Sequence, residues 1–355
     1  MRVAVVVLNW NTQDYLRAFL PGLQSSCKRL GTCPDGSPVA ELIVADSGST
    51  DGSAEVLAKE FPDIRAIPLG RNYGFTGGYL RAFGHLRSSG AEYEYYILLN
   101  SDIEVEDGWL EPLLAWMDSH PECGVCGPKL HGLLRGGAGF IRSGRFEYAG
   151  AAGGLLDRWG FPYCRGRIRK KVEEDRGQYD GADRNVLWVT GSCLMVRRSV
   201  WEKLGGLDDR FFAHQEEIDF CWRAQLAGWR VQVVPESLVW HLGGGTLPPQ
   251  SPVKLKLNFR NNLLMLGKNL VPTYLSEGMG RKKAERKARR LIRFRVFLDN
   301  CAGIAYFCIA KPEYSRAVRD AHREWKELRK LPCNKQEALE GAKVYGLTGK
   351  CIFLK

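Results

Sequence analysis

The chain has 355 residues, of which 45% are hydrophobic and 26% are charged, and its formal net charge is +11. This length accommodates one large α/β domain or two smaller ones with an ample core. No apolar run approaches the roughly 20 residues that span a bilayer, which argues against a transmembrane protein. The apolar stretch at the N-terminus runs into Asn9 and Asn11 without a small-residue cleavage site, so we interpret it as a first strand and not as a signal peptide.

The first hundred residues alternate between strand and helix patterns. Apolar strand patterns occupy residues 3–8, 42–45 and 64–68, and a fourth begins at residue 95. Between them, a helix capped by Thr12 is expected to reach about Ser25, a second opens with the capping residues 49–53, and a third follows the glycine-rich loop 70–78. This alternation predicts a parallel, doubly wound sheet.

Polar residues stand at three of the predicted strand ends: Asn9, Asp46, and Asn100 with Asp102. Because the C-terminal strand ends of such sheets line the ligand crevice, we expect a nucleotide site there. The fourth strand stops abruptly at Asn100-Ser101-Asp102, and a carboxylate in that position is a common metal ligand. The residues alone also allow a simple turn followed by an acidic surface.

The middle of the chain is less regular. Residues 132–185 are rich in Gly, Arg and aromatic residues without periodicity, which predicts long loops and hairpins over the sheet edge. Short strands are then predicted at 186–190 and 194–197, helices at 199–204 and about 215–227, and two further strands that end at His241.

Eleven cysteines without a secretory signal indicate reduced and mostly buried thiols. Cys123 and Cys126 have the C-x-x-C spacing, but no second such pair and no histidine pair accompanies them. We therefore predict two strand cysteines, not a zinc or redox site.

The positive charge is concentrated near the C-terminus, where the chain is predicted to be helical from about Leu255 to Leu331. Residues 281–295 contain nine Lys or Arg and one Glu, a net charge of +8, which indicates lipid headgroups or nucleic acid as a partner. Residues 293–310 mix arginines with large apolar side chains. This composition fits an amphipathic helix on a membrane surface, and equally a helix packed on the rest of the protein with its arginines in water.

Seven segments in order resemble glycosyltransferase family 2, the inverting, nucleotide-sugar-dependent enzymes with the A-type glycosyltransferase (GT-A) fold, and they are most similar to its rhamnosyltransferase-like branch. The segments are VVLNWN (6–11), VADSGSTDGS (44–53), RNYGFTGGY (71–79), LLNSDIEV (98–105), VTGSCLMVRRSVWEKLGGLDDRFF (189–212), EEIDFCWR (216–223) and VWHLGGGT (239–246). The resemblance implies a Rossmann-like, mostly parallel α/β sheet with a basic helical C-terminal extension. We expect a catalytic domain at 1–250, divided into a nucleotide-binding half (1–105) and an acceptor half (106–250), and a helical region at 251–355.

The resemblance also assigns a nucleotide-sugar pocket to Asn9, Asn11, Asp46, Ser47, Asn72, Gly77, Gly78, Asn100, Ser101 and Arg260. In it, Asp46 would contact the base or ribose, and the glycine-rich loop would approach the diphosphate. Asn100-Ser101-Asp102 corresponds to the family's Asp-x-Asp motif with its first aspartate replaced. Asp102 and His241 would hold Mg²⁺ or Mn²⁺, and an imidazole ligand favours Mn²⁺.

For the chemistry, Glu216-Glu217 matches the family's Glu-Asp pair, whose second member is the general base. Glu217 would take the acceptor proton, and the predicted helix N-terminus would favour its ionised form. Asp219 is the candidate to replace Glu217 as the catalytic base.

The resemblance thus implies transfer of a sugar from a UDP- or dTDP-sugar to a hydroxyl of a glycan or lipid-linked glycan. The enzyme would be cytoplasmic, and residues 281–310 would attach it peripherally to the inner face of a bacterial cytoplasmic membrane.

Two alternatives remain open. A sugar nucleotidyltransferase would also bind a nucleotide on an α/β sheet, but this sequence lacks the glycine- and arginine-rich signature that such enzymes have after the first strand. A nucleic-acid-binding protein is indicated by residues 281–295 alone, and we do not favour it.

Overall fold

The structure is a computed structural model that describes residues 1–137, 139–168, 171–243, 250–334 and 336–349. Its strands are β1 (Val3–Asn9), β2 (Ala40–Asp46), β3 (Arg65–Pro68), β4 (Tyr95–Asn100), β5 (Ile103–Val105), β6 (Cys123–Gly136), β7 (Gly139–Phe146), β8 (Gly154–Leu156), β9 (Pro162–Cys164), β10 (Arg167–Ile168), β11 (Lys171–Val172), β12 (Cys193–Arg197) and β13 (Arg230–His241). Its helices are α1 (Gln13–Arg29), α2 (Ser53–Glu60), α3 (Gly74–Ser88), α4 (Leu110–Ser119), α5 (Arg198–Leu204), α6 (Glu216–Leu226), α7 (Pro252–Ser276), α8 (Arg281–Cys308) and α9 (Pro312–Leu328), with a short 3₁₀ turn at Asp209–Phe211.

A mixed sheet of nine strands organises the fold, in the order β3-β2-β1-β4-β12-β6-β13-β5 with β7 paired to β6. Strands β3, β2, β1 and β4 are parallel, which confirms the predicted doubly wound half. β12 runs antiparallel between β4 and β6. Alternate residues of β1 face two separate cores, with Val3, Val5 and Val7 on one side and Ala4 and Val6 on the other. Helices on both faces bury these continuous apolar strands.

The predicted loops and hairpins of residues 132–185 are confirmed. β6 and β7 form a long hairpin, and β8 to β11 form a separate antiparallel sheet of four short strands. The two cysteines of the C-x-x-C spacing lie buried in β6, and both are free thiols, as predicted.

Two strand predictions are wrong. Residues 186–190 contain a single isolated bridge, at Trp188, and the side-chain amide of Gln225 donates hydrogen bonds to the carbonyl oxygens of Val186 and Leu187. The two strands predicted before His241 are the single strand β13. Its pairing with β6 shifts register between Val234 and Leu238, where Pro235 cannot donate to the ladder.

The C-terminal region is helical, as predicted. α7 packs against α6, and α7, α8 and α9 pack on one another. α8 also meets the loop between β8 and β9, where Phe294 contacts the ring of Trp159 edge-on and the Arg295 guanidinium lies 3.4 Å from the ring centre of Phe161. Within the described ranges, no helix is both long and apolar enough to cross a membrane. The domain boundaries at 105 and 250 stay a prediction.

Candidate active site

The carboxylate of Asp46 organises the ends of β1 and β2. These strands pair in register, so that Asn9 lies opposite Asp46. Oδ1 of Asp46 accepts hydrogen bonds from Nδ2 of Asn9 at 2.7 Å and from Oγ of Ser49 at 2.6 Å. Asn11 joins the same turn, since its Oδ1 accepts a hydrogen bond from the Thr50 backbone. The buried hydroxyl of Ser47 has no partner among the described residues.

Thr12 connects the residues around Asp46 to the end of β4, and the sequence alone did not predict this role. Thr12 stands at the N-cap of α1 but makes no side-chain capping bond. Its hydroxyl donates instead to Oδ1 of Asn9 at 2.5 Å, and it lies 2.9 Å from Oγ of Ser101, from which it can accept a hydrogen bond. The predicted pocket residues at the ends of β1, β2 and β4 therefore form one hydrogen-bonded group.

Asp102, just after β4, lies beside His241, the last residue of β13. Nε2 of His241 lies 3.2 Å from Oδ1 of Asp102 and 3.5 Å from Nδ2 of Asn100. On the opposite side of the ring, Nδ1 lies 3.3 Å from Oε1 of the buried Glu147, an acidic residue that no sequence pattern singled out. Burial acts to lower the pKa of His241, but the two carboxylates outweigh it and raise the pKa to about 10. The pKa of Asp102 is lowered overall, because the charge of His241 outweighs the opposing effect of burial.

This pair of residues fits a divalent cation whose other ligands come from solvent or substrate, but a histidine ligand must be neutral, so the cation would have to displace the Nε2 proton of His241. Two ligand atoms at right angles, each about 2.1 Å from an octahedral ion, are about 3 Å apart. The 3.2 Å between the Asp102 oxygen and the His241 nitrogen matches that spacing. No group of three or more His, Cys, Asp or Glu side chains suited to a metal occurs in the described ranges. The protein's share of a site here would therefore be these two ligands, as is common where substrate phosphates complete the shell of Mg²⁺.

The glycine-rich segment is explained largely by close packing. Gly74 has φ +72°, and a Cβ there would lie 2.6 Å from the Phe212 side chain. A Cβ on Gly78 would lie 2.6 Å from Leu8, so this glycine lets α3 approach β1. Two backbone N–H groups at the start of α3 already have partners, because Gly74 donates to Oδ1 of Asn72 and Thr76 donates to the Phe212 carbonyl. A role for Asn72, Gly77 and Gly78 in donor binding stays a prediction.

Glu216 and Glu217 begin α6 with carboxylate oxygens that have no hydrogen-bond partner among the described residues. Burial raises the pKa of Glu217 to about 7. Burial, together with the charge of Glu217, also raises the pKa of Glu216 well above its usual range. The expected preference for the ionised form at the helix N-terminus is therefore outweighed, and Glu217 titrates near neutrality. A carboxylate with that pKa suits general base catalysis.

Glu217 lies near the Asp102 turn through the segment 190–192. A Cβ on Gly191 would lie 3.4 Å from Cβ of Glu217 and 3.0 Å from the ring of Phe75. The next residue, Ser192, accepts a hydrogen bond from the backbone N–H of Asn100 at 2.9 Å. The start of α6, the start of α3 and the end of β4 therefore converge around one small segment.

The loop before Glu216 has an uncommon backbone. Phe212, His214 and Gln215 all have positive φ, between +63° and +72°. Such conformations are costly for residues other than glycine and cluster at functional sites. The buried amide of Asn261 on α7 holds them by donating to the carbonyl oxygens of Phe211, Ala213 and His214, at 3.0, 2.8 and 2.7 Å.

Two sequence predictions need correction here. Arg260 does not face the pocket, because its buried guanidinium donates to the carbonyls of Arg210 and Phe211 and pairs with Glu324. It fixes the same loop that Asn261 holds. Asp219 is fully buried in ion pairs with Lys268 (2.7 Å) and Arg223 (2.8 Å), and it accepts a further bond from Asn269. Its oxygens are occupied, so it cannot replace Glu217 as the base.

Comparison with known proteins agrees with this architecture. The sequence profile described as Glycosyl transferase family 2 matches residues 4–205, more than half of the chain, and that of Glycosyl transferase family group 2 matches residues 167–249. The chain is 29% identical over 244 residues to N-acetylglucosaminyl-diphospho-decaprenol L-rhamnosyltransferase of Mycobacterium tuberculosis, covering 67% of this chain and 75% of that protein. It is 24% identical over 246 residues to dTDP-rhamnosyl transferase RfbF of Shigella flexneri, covering 66% and 73%.

Solved structures share the fold. GalNAc-T7 with UDP, GalNAc and Mn²⁺ has a TM-score of 0.53 at 15% identity, covering 81% of this chain and 54% of that one. Residues 1–349 of S. aureus TarS have a TM-score of 0.52 at 15% identity, covering 92% and 81%. The sheet, the matched profile and these relatives agree: the chain is a GT-A-fold glycosyltransferase that belongs to glycosyl transferase family 2, in its rhamnosyltransferase-like branch.

Proposed function

We propose that this enzyme transfers a sugar from a dTDP- or UDP-sugar to a hydroxyl of a lipid-linked glycan, with inversion at the anomeric carbon. The observation that carries the proposal is the convergence at one sheet edge of three groups: the Asp46 pocket, the Asp102–His241 pair and Glu217, whose pKa is about 7. In this proposal the Asp46 pocket binds the nucleotide, the Asp102–His241 pair lies at the diphosphate, and Glu217 accepts a proton.

The donor half of the site is built around Asp46. Its Oδ1 is occupied by Asn9 and Ser49, whereas the one hydrogen bond that Oδ2 accepts from the described residues comes from the backbone N–H of Ser49, at 3.0 Å. A carboxylate oxygen has room for a further donor, such as a base imide N–H or a ribose hydroxyl. Because two relatives are named as rhamnosyltransferases, dTDP-rhamnose is the first donor to test.

A divalent cation belongs to the proposal, with Asp102 and His241 as its protein ligands. Its chemistry, when bound, is the neutralisation of charge on the departing diphosphate. Asn100, which stands where the family's motif has its first aspartate, supplies no charge at this site. Glu147 supplies a carboxylate instead, on the far side of the His241 ring. A carboxylate behind a ligating histidine orients its ring and increases its basicity.

Glu217 performs the proton transfer. The acceptor hydroxyl oxygen forms a bond to the anomeric carbon as the bond from that carbon to the diphosphate oxygen breaks, and the hydroxyl proton passes to the Glu217 carboxylate. The unpartnered Oε2 atom of Glu217 is free to receive it. Inversion follows from a single displacement of this kind, and it rests on family membership.

We propose a lipid-linked diphospho-sugar acceptor, by analogy with the relative whose name describes such a substrate. An acceptor of this type, used in cell-envelope polysaccharide synthesis, would bring the protein to the inner face of a bacterial cytoplasmic membrane.

A thermal-shift screen of dTDP- and UDP-sugars, with and without Mn²⁺, tests the donor and the cation together. We expect one nucleotide-sugar to raise the melting temperature in a Mn²⁺-dependent way, and the same compound to support transfer to a synthetic prenyl-diphospho-sugar. Release of pyrophosphate from a nucleoside triphosphate and a sugar phosphate, with no transfer from any nucleotide-sugar, would contradict the proposal and favour a nucleotidyltransferase.

A further inference from the structure

The solvent-facing side of α8 is divided into a cationic half and an apolar half. Its first half exposes basic side chains at helical spacing on one side: Lys282, Lys283, Arg286, Arg289, Arg290 and Arg293. Residues spaced three and four apart share one face of a helix, so these six form one stripe. We refer to them as the cationic stripe.

The cationic stripe lacks compensating charge. None of its six side chains makes an ion pair with any residue that the structure describes. The only acidic residue between positions 281 and 298 is Glu285. By contrast, the buried basic residues Arg260 and Lys268 of α7 both have carboxylate partners. The stripe is therefore available for an anionic partner.

The same side of the helix becomes apolar further along. Phe297, Ile304 and Phe307 share the face of the cationic stripe, and Ile309 lies one residue beyond the end of α8; these are the four most exposed large hydrophobic side chains of the described chain, at 60–67%. The only charged residue at 296–310 is Asp299, which is buried and paired with Arg295 and His322. We refer to these four residues as the apolar cluster.

We propose that the cationic stripe and the apolar cluster together dock the protein on a bilayer of anionic phospholipid. A bilayer interface offers, within a few ångströms, a layer of phosphate charge and the acyl chains beneath it, and amphipathic helices bind there through both. A nucleic acid would leave the apolar cluster in water. A second copy of this chain would bring the two cationic stripes near each other, which is unfavourable.

The position of α8 connects this surface to the catalytic side of the molecule. Phe294, between the two halves, contacts Trp159 in the loop between β8 and β9. In that loop, the Gly160 carbonyl accepts a bond from Asn262 of α7, and Asn262 also donates to Gln215, which directly precedes Glu216. Docking of α8 would therefore hold the Glu216–Glu217 segment near the membrane. That consequence rests on the proposed function, whereas binding of the bilayer does not.

Vesicle sedimentation with the full-length chain tests the surface. We expect the protein to sediment with vesicles of phosphatidylcholine containing 30% phosphatidylglycerol, and to remain in solution with pure phosphatidylcholine. Replacing Arg286, Arg289, Arg290 and Arg293 by Gln should weaken binding about a hundredfold or more, because each basic residue at an anionic surface contributes appreciably. Replacing Phe297, Ile304 and Phe307 by Ser should weaken it at least tenfold.

Matched variants control for charge and hydrophobicity elsewhere on the surface. The first control variant replaces four exposed basic residues by Gln: Lys28, Lys59, Arg87 and Lys203. The second replaces three exposed apolar residues by Ser: Leu134, Ile141 and Leu339. Both variants should bind anionic vesicles with an affinity within about threefold of the parent. All variants should transfer sugar to a water-soluble acceptor at the parent rate, which separates this test from the proposed function.

Four results would overturn the proposal. One is sedimentation of the parent that does not depend on phosphatidylglycerol. Another is equal partitioning of the parent and both α8 variants. The third is a dimer by light scattering that the Phe297, Ile304 and Phe307 substitutions dissociate. The fourth is displacement from vesicles by an equal phosphate concentration of duplex DNA.

Discussion

Nε2 of His241, the last residue of β13, lies 3.2 Å from Oδ1 of Asp102, in the turn that follows β4. The pairing of β5 with β13 brings these distant parts of the chain together, since Ile103 lies opposite His241 in that ladder. The imidazole is therefore held beside the carboxylate by backbone hydrogen bonds, before any ligand arrives. A preformed pair of ligands binds a cation without a large ordering cost.

Asp102→Ala and His241→Ala should each reduce transfer at saturating Mn²⁺ at least a hundredfold, because each removes one of only two protein ligands. The melting temperature should also lose its Mn²⁺-dependent increase in both variants. Asp107→Ala, at an exposed acidic residue of the following turn, is the matched control and should behave as the parent. Near-parent turnover by Asp102→Ala would show that the metal assignment is wrong.

Glu217→Gln should reduce transfer by a factor of about 10² to 10⁴, the usual contribution of a general base, while donor binding measured by calorimetry is unchanged. In the parent, kcat/KM should rise with pH and level off above about 7, because only the ionised carboxylate accepts a proton. Loss of donor binding in the variant would indicate instead that Glu217 has a structural role.

The same substitution should change the pH dependence of stability. The Glu217 pKa is about 7 in the folded chain and about 4.5 in the unfolded chain, so the folded state binds the proton more tightly between these values. The contribution of Glu217 to stability therefore falls as the pH rises from 4.5 to 7. Glu217→Gln should be more stable than the parent at pH 8, by about 3 kcal/mol, and close to it at pH 4. Urea unfolding measures the difference, with the exposed Glu55→Gln in the first turn of α2 as the control.

Asn261→Ala should lower the free energy of unfolding by about 2 to 4 kcal/mol, because three carbonyls of this partly buried loop lose their donor. The positive-φ conformations at Phe212, His214 and Gln215 would then be less well supported. We expect kcat to fall more than the KM for the donor changes, since the loop positions Glu217 and not Asp46. Asn300→Ala, on the exposed side of α8, should leave both quantities unchanged. A stable variant with full activity would show that the loop needs no such support.

Particular residues show how far sequence reasoning reaches. Asp102 was singled out by its place at a strand end and His241 by the family resemblance, and the structure brings them together. Arg260 was predicted to line the nucleotide-sugar pocket and Asp219 to replace Glu217 as the base, yet both are already paired with side chains of α9 or α7. Sequence position does not reveal which charged groups already have partners. Thr12 and Glu147 were missed for the complementary reason, since a helix cap and a lone acidic residue are ordinary until a neighbour is known.

By itself, the sequence determined the strand and helix alternation of the first hundred residues, the family, and the polar residues at the strand ends. Those properties depend on local periodicity and on motifs within short segments. Only the tertiary structure decided that Glu147 stands behind His241, that Asn261 holds the loop before Glu216, and that the exposed side of α8 is cationic and then apolar. Partners and exposure depend on contacts between residues far apart in the chain, and no local pattern encodes them.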